Sequence, residues 1–179
     1  MAAASTNKED KLVGLDLIAR LGAPTAELRE QVISILEKAK DEDILQGAYY
    51  AMGTVEGNND DKSRIAQCAK RDAQKDRQEL KRRALSALAS NLDDQEGFDI
   101  LLAALNSPSK VIIAEAMKGI SKHASFADEG VADKFLELLA LHGADKHLRR
   151  SALSALDSLS LSAVQKKRRD ELERTDASR

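Results

Sequence analysis

Tryptophan is absent from this chain of 179 residues, and Cys, Pro, Tyr and Phe number only one, two, two and three. Each scarcity closes off a class of structure. With aromatic residues at 3%, a sandwich or barrel core loses the side chains that usually fill it. The interior must then be built from Leu, Ile, Val and Ala, which suits close helix packing. One cysteine, Cys68, excludes an internal disulfide and cannot make a zinc site alone. No apolar run approaches the roughly 20 residues of a membrane span. The opening MAAAST lacks the charged region and apolar core of a secretory leader. The expected compartment is therefore the cytoplasm, with no membrane partner.

What the chain does have is aliphatic residues and charge. Hydrophobic residues reach 42%, charged residues 32%, and the net charge is −2. That near-neutrality hides an alternation. Residues 1–60 carry six basic and eleven acidic side chains, and residues 61–92 carry nine and four. Residues 93–145 return to four basic and ten acidic, and 146–179 to nine and five. Local basic faces thus stand inside a neutral chain.

A repeated skeleton organises the sequence. Leu80 to Leu88 reads LKRRALSAL, and Leu148 to Leu156 reads LRRSALSAL. Ile44 to Met52 (ILQGAYYAM) and Ile112 to Ile120 (IIAEAMKGI) share the pattern of a large aliphatic residue, Ala four places on, and a large apolar residue four places further. The Ala positions are 48, 84, 116 and 152, at intervals of 36, 32 and 36. A period in the mid-thirties, with one helical stripe per period, predicts a stack of helix pairs.

Read in order, residues 1–8 form a flexible N-terminal tail, 9–160 a repeat domain, and 161–179 a charged C-terminal capping helix and tail. Gly22 and Pro24 end the first helix, and Thr25 opens a second whose buried stripe is Leu28, Val32, Ile35 and Leu36. Asp41 to Asp43 cap the helix that follows. Gly57 to Asp61 (GNNDD) reads as the clearest loop. The break between a weak helix at 62–75 and the repeat at 80–88 is not legible, because no Gly or Pro marks it. Asn106 to Ser109 turns, 123–129 loops, and Gly143 to Asp145 turns again. Ten helices in five antiparallel pairs account for nearly every residue, giving an all-α fold.

Residues 98–120 (FDILLAALNSPSKVIIAEAMKGI) resemble the HEAT repeat: an apolar helix, an Asp/Asn turn, then a helix patterned Val-Arg-x-x-Ala-x-x-x-Leu. Leu148, Arg149, Ala152 and Leu156 match that second helix fully, and Leu80, Lys81, Ala84 and Leu88 match with Lys in the basic place. Leu45 and Ile113 depart from it, so any Asp–Arg ladder between turns is incomplete. The resemblance implies an α-α superhelix, a short curved rod, and a scaffold or adaptor function without cofactor. It also implies rarer alternatives: a bilin lyase-like subunit or a DNA glycosylase. Neither a second Cys nor an aromatic cluster around a carboxylate supports these.

Chemistry-bearing residues fit bland roles better. His123, His142 and His147 lie at helix ends, where imidazoles meet carbonyl ends. Cys68 lies on an apolar side, as a buried thiol does. Ser86 and Ser154 occupy equivalent repeat positions, which explains them without a catalytic triad. No catalytic, metal or cofactor residue is expected. The basic runs at Lys70–Arg83 and Lys166–Arg169 are laced with acids at helical pairing distance and read as salt-bridged surface, with nucleic-acid backbone binding as the alternative. In HEAT-like arrays the second helix of each pair lines the concave side. Positions two before and two after the repeat Ala lie about 200° from it. These are Gln46, Arg82, Ala114 and Arg150, then Tyr50, Ser86, Lys118 and Ser154. Three bases, one Tyr and no acid predict a protein partner with an acidic or phosphate-bearing surface.

Overall fold

The computed structural model describes residues 7–21, 25–53, 58–92, 94–142 and 145–177. Ten α-helices and one short 3-10 turn are present among them, with no strand. The chain divides into two compact units, Met1–Asp93 and Asp94–Arg179. The first holds α1 (Lys8–Leu21), α2 (Ala26–Lys38), α3 (Glu42–Met52), α4 (Asn59–Asp72) and α5 (Gln78–Asn91). The second holds α6 (Gln95–Ala104), α7 (Lys110–Lys122), α8 (Glu129–His142), α9 (Lys146–Asp157) and α10 (Ala163–Ala177). No described helix is long and apolar enough to cross a membrane.

Packing follows the repeat, but the pairing is shifted from the expected five pairs. The hairpins are α2 with α3, α4 with α5, α6 with α7, and α8 with α9. Helix α1 instead packs on α3, and α10 on α8. Within each unit, odd helices therefore stack in one row (α1, α3, α5 in the first, α7 and α9 in the second) and even ones in another (α2 and α4, then α8 and α10). Helices joined by short connections must run antiparallel, so neighbours within a row run parallel. The four repeat alanines sit in the core: Ala48, Ala84 and Ala116 are fully buried and Ala152 is 1% exposed. At Gly47, where α1 meets α3, a Cβ would lie 3.2 Å from Leu15 Cδ1.

Helix starts follow the capping chemistry of the sequence. Thr25 Oγ1 accepts from the Leu28 amide, and the Asp41 carboxylate accepts from the amides of Asp43 and Ile44. Asp94 and Asp145 cap α6 and α9 in the same way. The expected loop at Gly57 to Asp61 is overturned for its described part. Asn58 is the N-cap of α4, and Asp61 closes a capping box by accepting from the Asn58 amide. An Asn with an acid three places on is a helix start, and two orphan amides are satisfied there. Lys8, assigned to the tail, begins α1, and residues 1–6 of that tail lie outside the described residues. The expected stops at Gly22, Pro24, Gly57 and Gly143 also lie outside them. In α2, Val32, Ile33 and Leu36 are buried, while Leu28 and Ile35 are only partly so.

The illegible break falls at residues 73–77, and tertiary contacts fix it. Asp72, at the end of α4, is fully buried. It accepts from the Tyr49 hydroxyl at 2.8 Å and from Arg71 Nε and Nη2 at 2.9 and 2.8 Å, and Lys75 Nζ lies 3.2 Å away. Arg71 Nη2 also donates to the Leu36 carbonyl at the end of α2. Burial works against the Asp72 carboxylate, but the Arg71, Tyr49 and Lys75 bonds hold it below its ordinary pKa. Burial and that carboxylate push the Tyr49 hydroxyl far up.

Candidate partner-binding surface

Ion pairs join neighbouring helices of each row, and they decide which charges remain to meet a partner. In the odd row Lys8 reaches Asp41 and Asp43 at 2.8 and 2.7 Å, and Arg77 reaches the same Asp43. In the second unit Lys110 reaches Asp145 at 3.1 Å. The even row has Arg29 on Asp61, and Arg64 bridging Glu30 and Glu37. Lys8, Asp43, Arg77, Lys110 and Asp145 recur once per repeat, at the first turns of the odd helices. The expected ladder positions, Leu45 and Ile113, are buried core instead. The rungs come from capping turns, where the sequence pattern gave no reason to look for them.

Five of the seven cations in the basic stretch 70–83 meet acids in the same way. Arg71 and Lys75 serve Asp72, Arg77 serves Asp43, and Arg82 and Arg83 share Glu79. Bonds from Arg82, then the nearby Arg83, hold the Glu79 carboxyl down at about 2. In the C-terminal run, Arg169 pairs with Asp157 and Glu173, and Lys167 approaches Glu171. Cys68 is buried, and desolvation pushes its thiol up, away from the reactive thiolate.

Of the eight positions singled out, Gln46, Tyr50, Arg82 and Ser86 lie in the first unit. Tyr50 is 49% exposed on α3. The Arg83 guanidinium stands over its ring, 4.9 Å from the centroid. Glu79 Oε1 accepts from Arg83 Nε at 2.7 Å and from Arg82 Nη2 at 2.9 Å, and Glu79 Oε2 accepts from Arg82 Nε. Tyr50, Arg83, Glu79 and Arg82 thus form one braced chain across α3 and α5. Gln46, with its amide in the orientation its neighbours require, accepts from Arg77 Nε at 2.9 Å. Ser86 is half-buried one turn beyond Arg82. Arg83 was missed by a register argument that looked only two places from the repeat Ala. The signal available was the Arg82–Arg83 doublet, three and four places after Glu79.

In the second unit, Lys118 and Arg150 are exposed, Ser154 is exposed, and Ala114 is half-buried. Lys118 Nζ lies 3.9 Å from Glu115. Arg150 and Ser154 line an open hollow of about 540 Å³ between α9 and α10, with Lys146, Arg149, Leu153 and Arg169. Asp157 and Glu173 line it as well.

No family model matches this sequence, and no curated protein does. Two crystal structures of engineered proteins from the Northeast Structural Genomics Consortium are similar to it. One has a TM-score of 0.67 at 17% identity, over 89% of this chain and 79% of that one. The other has a TM-score of 0.63 at 16% identity, over 87% of this chain and 45% of that one. At such identities the likeness concerns the fold alone.

Proposed function

We propose that this chain is a HEAT-like α-solenoid that works as a non-catalytic scaffold or adaptor, docking a partner protein on the exposed face of its odd helices. The partner presents an acidic or phosphate-bearing surface. One observation carries the reading: the half-exposed Tyr50 ring lies under Arg83, and Glu79 braces both Arg83 and Arg82. An exposed aromatic ring with a fixed guanidinium over it is a preorganised anchor, because little rotamer freedom remains to be lost on binding. Two arginines against one carboxylate leave one positive charge at this patch. Arg offers a planar fork that suits carboxylate or phosphate oxygens. Buried Asp72 and Cys68 serve the core in this reading, and the paired cations of 70–83 favour a protein partner over a nucleic-acid backbone.

The test is capture from native lysate, followed by mass spectrometry, with wild type beside Tyr50→Ala/Arg82→Glu. Both side chains are outside the core, so circular dichroism should still report a native helical fold. A protein captured by wild type and lost with the double variant supports the reading. An unchanged set of captured proteins sinks it. Capture of nucleic acid with a steep salt dependence would move the function to backbone binding.

A further inference from the structure

The row architecture defines a berth for each odd helix. Helix α3 packs on both α1 and α2, α5 on α3 and α4, and α9 on α7 and α8. Each of these three helices therefore lies in the groove between the preceding odd helix and the even helix that follows it. The hollow between α9 and α10 is the next such groove, and no described helix fills it. In the first unit, α1 has one face on α3, where Leu15 meets Gly47, and its Ile18 and Ala19 are buried. Its opposite face is open. Val13 and Leu17 lie two places either side of Leu15, about 160° round the helix, and are 58% and 51% exposed. Leu21 on the same helix is 76% exposed.

We propose that the α9/α10 hollow of one copy receives α1 of a second copy, in a head-to-tail association of this chain. Charge favours that occupant. The hollow is lined by Lys146, Arg149, Arg150 and Arg169 against Asp157 and Glu173, an excess of two cations. Helix α1 has Glu9 and Asp10 in its first turn and Asp16 in its third, balanced by Lys8, Lys11 and Arg20, so the match is one of individual pairs. The register is set by the rungs already present, which join odd helices at separations of 34 and 35 positions. Carried across the contact, with Lys8 of the second copy beside Asp145, the same register brings Glu9 to Lys146 and Arg20 to Asp157. Val13 and Leu17 then lie along Arg150, Leu153 and Ser154, where an aliphatic stem and an apolar side chain can cover them. Such a contact joins two different surfaces, so it propagates as a chain of copies or closes as a ring, a reciprocal pair being the smallest.

Sedimentation velocity across a concentration series tests this on the full chain. Wild type should associate as concentration rises, and less so as salt rises. Val13→Glu/Leu17→Glu disables the α1 face, and Lys146→Glu/Arg150→Glu disables the hollow. All four side chains are exposed, so circular dichroism should report a native fold for both variants. Each variant alone should be monomeric. An equimolar mixture should give a heterodimer and nothing larger, because one good head and one good tail remain. Glu9→Lys should weaken association, and Glu9→Lys/Lys146→Glu should recover it. The proposal is overturned if wild type is monomeric throughout, or if the two variants associate as wild type does.

Discussion

Replacing Asp72 with Ala should destabilise the first unit by about 2–4 kcal/mol. The carboxylate is fully buried and accepts from Tyr49 and Arg71. Its loss strands the Tyr49 hydroxyl, on a residue only 4% exposed, in the core. An orphaned buried hydroxyl costs about 1–3 kcal/mol. The cations suffer less. The Arg71 and Lys75 side chains are 44% and 30% exposed and can turn to water, and Arg71 keeps the Leu36 carbonyl. Their share is therefore about 1 kcal/mol, not the 3–5 kcal/mol of a broken fully buried pair. Tyr49→Phe alone leaves Asp72 its cations and should cost about 1 kcal/mol. In the double variant no hydroxyl is stranded, so the two costs should fall short of additivity by about 1–2 kcal/mol. Urea denaturation followed by circular dichroism at 222 nm reads each value from the midpoint at constant slope. A cost under about 1 kcal/mol for Asp72→Ala, or strict additivity with Tyr49→Phe, would refute the account of the α4–α5 break.

Acid should expose the same group. The folded pKa of Asp72 lies below its ordinary value of 3.8, so its contribution is complete above that value and is lost as pH falls through the folded one. The urea midpoints of wild type and Asp72→Ala should therefore converge below about pH 4. Glu30, Glu37, Asp41, Asp43, Glu79 and Asp145 are shifted the same way by their cation or amide partners, so the wild-type acid transition should be broad. Ala84→Leu should overpack the fully buried site on α5 and cost about 1–3 kcal/mol, whereas an unchanged urea midpoint would mean that the site has room. Asn58→Ala removes the α4 cap and should cost about 1 kcal/mol, while Asn58→Asp, which keeps the acceptor, should restore most of it in the same assay.

Much of the fold was legible because local chemistry dictated it. The aliphatic–Ala–aliphatic skeleton at 44–52, 80–88, 112–120 and 148–156 determined which face of α3, α5, α7 and α9 is buried, since helical periodicity admits one apolar stripe. Thr25 and Asp41 determined helix starts, because a short side-chain acceptor satisfies amides the helix leaves open. Exposure of Tyr50 followed from its register against Ala48. Only tertiary structure decided the rest. The shift from five hairpins to four with α1 and α10 stacked outside depends on which helix finds an open groove. The α4–α5 break needs Tyr49, Leu36 and Asp72 to meet, three residues scattered over the chain. The placement of Arg83 over Tyr50 depends on the packing of α3 against α5, and local periodicity holds no information about a partner helix. The rungs from Lys8, Arg77 and Lys110 form because parallel helices in a row bring their first turns side by side. Charge patterns along the sequence show that such side chains exist, and packing alone selects which of them meet.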